Sequence, residues 1–153
     1  MKTIGAILGV GIVFLYAIGS GLWVNTGDNW YRTLNAPNWQ PPDFIFGFIW
    51  PYNFIALGIA AVTIAQKASN RTTMIYLTFF ALSVTCALTW AYQFYRPHNL
   101  SFAAIALVGT VLLTIPMTVI AFRTSPGLGV ALLPYQIWVA IAANLSYTYS
   151  KLN

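Results

Sequence analysis

Five long apolar runs, residues 3–24, 44–66, 72–95, 100–122 and 128–149, leave this chain few ways to fold. Each run is near the ~20 residues that a helix needs to cross the hydrocarbon core of a bilayer. Lipid offers no hydrogen bonds to a backbone, so only helices or closed barrels can span it, and these runs lack the alternating ~10-residue segments of barrel strands. The expected fold class is therefore an all-α membrane protein, a five-transmembrane-helix bundle. Residues 67–71 (KASNR), 96–99 (RPHN) and 123–127 (RTSPG) are polar, breaker-rich turns too short to hold a domain, so successive helices pack antiparallel and residues 1–153 form a single domain. The first run imitates a signal peptide but exceeds the h-region of about 7–15 residues.

Charge agrees with this reading. Only 6% of residues are charged and 59% are hydrophobic, whereas soluble domains are about a quarter charged. Asp28, Asp43 and the seven basic residues all fall beside the apolar runs, which excludes an ion-coupled pump with an intramembrane carboxylate. The net charge of +5 is dispersed, which argues against a nucleic-acid partner and for contact with membrane lipid headgroups. Lys2, Lys67, Arg71 and Arg123 on one side outnumber Arg32, Arg96 and Lys151 on the other, which places the N-terminus in the cytoplasm. Cys86 is the single cysteine, so neither an intrachain disulfide nor a cysteine metal site can form, and it reads as a small buried hydrophobe. His98, the single histidine, falls in a turn and reads as a solvated residue, so no metal site is expected and a bound haem lacks axial histidine ligation from within the bundle. No nucleophile–base pair is visible, which weighs against an enzyme.

Pro51, Pro116 and Pro134 interrupt three of the runs, each removing one helical hydrogen bond; they either kink the helices around a cavity or are simply tolerated by neighbours. Gly5 and Gly9 form a GxxxG that lets another helix approach closely, from the same chain or from a second copy.

The connection 25–43 is longer than adjacent helices require. Asp28 can cap a short helix whose Trp30 and Leu34 share a face, Pro37, Pro41 and Pro42 stiffen the descent, and Asp43 stands where an N-cap carboxylate serves the next helix. Trp30, Tyr31 and Trp39 are either interfacial anchors or a lid over a pocket. Deeper down, Tyr135, Trp138, Ala142, Leu145 and Tyr149 share one helical face, as do Trp50, Phe54, Leu57 and Ala61, and Cys86, Trp90 and Gln93. If these faces converge they make an indole-walled slot for a flat apolar ligand, with Asn53, Gln93, Tyr135 and Asn144 as polar handles; otherwise the rings fill the core.

The motif Trp30-Tyr31-x-x-Leu34-x-x-Pro37-x-Trp39-x-Pro41-Pro42, continued by Phe46 and Trp50, then Thr89-Trp90-Ala91-Tyr92 and Pro134-Tyr135-x-x-Trp138-x-x-x-Ala142-x-x-Leu145, resembles the TspO/MBR family of tryptophan-rich sensory and translocator proteins. The resemblance implies a five-helix bundle, commonly a homodimer, in a bacterial cell membrane. It implies a receptor for tetrapyrroles (protoporphyrin and haem) acting as sensor, scavenger or carrier, with no required cofactor, and in some members a receptor for sterols and for synthetic isoquinoline carboxamide or benzodiazepine ligands. By position the ligand site comprises Tyr31, Trp39, Pro41, Trp50, Phe54, Trp90, Trp138 and Ala142, with Arg32 as contact for a propionate. Two alternatives stand beside it: light-dependent porphyrin degradation using Trp50 and Trp138, and sterol or lipid translocation, for which Leu145, Tyr147 and Lys151 fit the loose cholesterol pattern. The chain departs from the family at Ala36, Thr89, Ile141 and Ser146, where lysine, asparagine, phenylalanine and asparagine are usual.

Overall fold

The computed structural model describes residues 1–26 and 29–153 in full and residue 28 by its backbone; the expected Asp28 cap lies outside the described residues. Five long helices and one short one follow in order: α1 (Lys2–Val24), α2 (Asp28–Tyr31), α3 (Asp43–Lys67), α4 (Asn70–Tyr95), α5 (Leu100–Thr124) and α6 (Pro126–Leu152). The five long helices are apolar and long enough to cross a membrane, each overrunning its expected span by up to three residues at an end. Their ends follow from local chemistry. The Ser69 hydroxyl accepts from the Thr72 amide at 3.2 Å, the Asn99 side chain accepts from the Phe102 amide at 3.1 Å, and Pro126 opens α6 where no amide donor is needed. Asp43 departs from expectation. Pro42 occupies the N-cap in extended geometry and Asp43 is the first helical residue, with no side-chain capping bond; its carboxylate still lies at the positive end of the helix dipole.

Successive antiparallel helices close into a ring in the order α1, α4, α5, α6, α3, with α3 returning to α1. One end of the ring carries the N-terminus and the connections α3–α4 and α5–α6; the other carries the long loop, the α4–α5 turn and the C-terminus. Pro51, Pro116 and Pro134 all lie inside helices, and neighbours serve backbone acceptors near two of them. The Tyr52 hydroxyl donates to the Ala131 carbonyl ahead of Pro134 (2.7 Å), and Gln136 reaches from α6 to the Val111 carbonyl ahead of Pro116 (3.3 Å).

The GxxxG finds its partner within the chain. A methyl at Gly5 would stand 3.0 Å from Thr73 Cγ2, and one at Gly9 would collide with Ala61 Cβ. Small residues therefore dock α1 on α3 and α4 by backbone approach, and α1 buries only Gly5, Gly9 and Tyr16.

Candidate functional site

At the loop end the ring of helices parts around an apolar cavity of about 280 Å³. α1, α3, α4 and α6 supply most of its wall and α2 adds Tyr31, while α5 supplies none. Trp50 and Phe54, one turn apart on α3, lie nearly parallel with centroids 5.6 Å apart, and Tyr16 meets both edge-on at 6.0 and 5.4 Å. Phe46 stands edge-on to Trp138 at 5.0 Å, and Trp90 and Phe94 follow each other along α4 at 5.9 Å. Each such pair adds about 0.5–1.5 kcal/mol beyond area burial, which keeps the indole planes fixed rather than free to collapse into the space between them.

The polar groups of this wall largely serve one another. Ser20 Oγ donates to the Tyr16 carbonyl (2.7 Å), Trp90 Nε1 donates to Ser146 Oγ (3.2 Å), and the Tyr135 hydroxyl meets that of Tyr16 (3.2 Å) beneath the cavity. Trp138 Nε1 is buried and, among the described residues, lacks a partner. Apart from that indole N–H, what remains for a ligand is mainly ring surface.

A wider vestibule of about 460 Å³ adjoins the cavity and shares Val24, Tyr31, Phe46, Tyr95 and Tyr149 with it. Arg32, Ala36, Gln40 and Asp43 also line it. Its roof is the long loop. Trp30, Tyr31 and Leu34 pack on Phe94, Ala103, Leu145 and Tyr149, and the Trp30 indole lies flat on His98 (3.7 Å, 7°), which holds a positive φ of 57°. Tyr149 donates to Gln40 Oε1, and Tyr149 and Gln40 Nε2 each reach the Tyr31 hydroxyl at 3.2 Å, a triad at the neck between the two spaces. Asn35 and Asn153 exchange hydrogen bonds of 2.8 and 3.1 Å, tying the loop to the end of α6.

Of the expected ligand residues, Tyr31, Trp50, Phe54, Trp90, Trp138 and Ala142 come together in the cavity wall, and Arg32 stands in the vestibule. Trp39 and Pro41 line neither space. Residues 37–40 form a turn closed by the Gln40 backbone amide donating to the Pro37 carbonyl (3.1 Å), which leaves Trp39 46% exposed while Gln40 lines the vestibule. The polar handles also fall elsewhere. Asn53 is fully buried off the cavity with its amide unpartnered among the described residues, Asn144 is exposed, Gln93 is half-buried outside the wall, and Tyr135 lies below it. Cys86 departs from the stripe of Trp90, sitting 3.2 Å from a methyl placed on Gly109 of α5. Leu145 lines the cavity while Tyr147 is 53% exposed, with Lys151 over its ring, so the cholesterol pattern is split between inside and outside. Sequence reasoning missed Tyr16, Ser20, Gly21, Phe94 and Tyr95 as wall residues. One signal was available: Tyr16, Ser20 and Gly21 share a face of a helix whose other residues are mainly aliphatic.

A family model described as TspO/MBR family matches residues 6–152. The chain is 30% identical over 154 residues to the tryptophan-rich protein TspO of Chlorobaculum tepidum, covering 98% of this chain and 92% of that one. It is 29% identical over 127 residues to a tryptophan-rich sensory protein of Cereibacter sphaeroides, covering 82% of this chain and 78% of that one. It is 25% identical over 132 residues to the human translocator protein, covering 85% of this chain and 78% of that one.

Proposed function

Since the chain belongs to the TspO/MBR family and is a multi-pass integral membrane protein, we propose that it binds a tetrapyrrole, protoporphyrin or haem, as sensor, scavenger or carrier. The observation that carries this reading is the cavity itself, in which indoles from three different helices, Trp50, Trp90 and Trp138, face one apolar space. A flat, polarizable body meets ring faces there instead of the hydrogen-bond donors that a sugar or peptide requires. The adjoining vestibule, with Arg32 in its wall, lets the ring's acidic edge stay near water while the macrocycle enters the lipid-depth space. Two bacterial relatives accord with a bacterial cell membrane as the home of the chain.

Titration of the purified protein with protoporphyrin should quench tryptophan fluorescence saturably, and Trp50→Ala or Trp138→Ala should each weaken binding about tenfold by removing stacking and buried area. Unchanged affinity in both variants would rule out the cavity as the binding site.

A second reading, light-dependent degradation of the bound porphyrin, is favoured by the placement of Trp138, a buried indole in the cavity wall. Illumination of the complex should then yield a new pigment, and Trp138→Phe should slow its formation while leaving binding largely intact. Equal rates in the two proteins would remove Trp138 from that chemistry.

A further inference from the structure

The vestibule joins two unlike charges. Arg32 comes from the loop just after α2 and Asp43 from the first turn of α3, both exposed and both lining the same space. Among the described residues neither is engaged by a hydrogen bond or an ion pair. The neutral groups around them are otherwise committed, because the Gln40 amide and the hydroxyls of Tyr31 and Tyr149 are used in the triad at the neck. Ala36 and Leu34 offer no polar side chain. A ligand whose apolar body fills the inner cavity must therefore present its hydrophilic edge to one cation and one anion.

Resting on the tetrapyrrole reading above, we infer that Asp43 is a specificity-determining residue: the site favours a flat ligand whose edge carries one anionic and one cationic group over the same ring with two carboxylates. The first carboxylate pairs with Arg32 in either case. Among the described residues a second carboxylate finds no other cation lining the vestibule and meets Asp43, a like charge that costs affinity, whereas an ammonium at the same position gains a partner. The position of Asp43 adds to this. Its carboxylate is carried on the first turn of α3, a rigid element that holds it at the vestibule wall. The selection is made at the water-facing mouth, where it acts on the ligand's edge and leaves the ring contacts untouched.

Three probes separate the effects: protoporphyrin, its dimethyl ester, and a derivative in which one propionate carries an aminoethyl amide, leaving one carboxylate and one ammonium. Each is titrated at low salt against the wild type, Asp43→Asn and Ala36→Lys by tryptophan quenching. Asp43→Asn should tighten the dicarboxylate about fivefold, weaken the mixed-charge derivative by a similar factor and leave the diester unchanged. Ala36→Lys, which adds a cation without touching Asp43, should also tighten the dicarboxylate. Both shifts should shrink when the ionic strength is raised to about 1 M. If Asp43→Asn leaves the ratio of dicarboxylate to mixed-charge affinity unaltered, or moves the diester as much as the others, the role of Asp43 is overturned while the cavity reading stands. If none of the three probes binds the wild type, the cavity reading falls and this inference with it.

Discussion

Gly9 shows how much one missing side chain can decide in a membrane. Its Cα faces Ala61 so closely that a methyl collides with the alanine Cβ, while at Gly11, two residues on, nothing lies within 4 Å of the same construction. Gly9→Leu should therefore destabilise the bundle by about 1–3 kcal/mol through forced separation of α1 and α3, whereas Gly11→Leu should leave it unchanged. Thermal unfolding of both variants in the same micelle measures the contrast, and equal melting temperatures would mean that the close approach carries no stability. The pairing was legible in the sequence as GxxxG, but its partner was not, since spacing states only that a helix can come near. Asn53 was misplaced for a related reason. It lies between Trp50 and Phe54 in sequence, yet one position on a helix is a rotation of about 100°, enough to turn its amide from the cavity into the fully buried core.

Among the elements, the loop between α1 and α3 is the part whose behaviour the sequence constrains least. Its prolines and aromatic residues marked it as more than a connector; the expected short helix ends at Tyr31, before Leu34, yet Trp30 and Leu34 both pack on the cluster of Phe94 and Tyr149. The choice between Trp39 and Gln40 as the inward residue was not legible, because Pro37 and Asn38 mark a turn without its phase, that is, without saying which side chain faces inward. The phase is set by Gln40 joining Tyr31 and Tyr149. Gln40→Leu keeps the volume and removes those bonds, each worth about 0.5–1.5 kcal/mol net. Ligand dissociation should accelerate about tenfold in stopped-flow release measurements, with equilibrium binding weakened by a similar factor. An unaltered release rate would show that the triad does not hold the roof against the bundle.

For the whole molecule, five spans and their antiparallel order were legible because a bilayer punishes every alternative; which helix faces which was not, since lipid-facing and protein-facing surfaces are both apolar. The fold places Lys2, Lys67, Arg71 and Arg123 at the end opposite the cavity, so the side bias predicts that the vestibule opens away from the cytoplasm. With Cys86 replaced by alanine, a cysteine introduced as Asn38→Cys should react with an impermeant maleimide in intact cells, and one introduced as Gly127→Cys only after lysis; the reverse pattern would invert the molecule. The small buried face of α1 has a consequence for handling the protein. In its most apolar window 11% of residues are buried, against 44% in α6. α1 is therefore retained by the close approach of Gly5 and Gly9 and by the packing of Ile12, Val13 and Tyr16, apolar contacts that detergent tails can replace. A harsh, short-chain detergent should detach α1 before the other helices part, leaving helical content almost intact while the wall formed by Tyr16, Ser20 and Gly21 is gone. A sample that passes circular dichroism can in that way have lost its cavity, and mild extraction is then a condition of seeing any ligand at all.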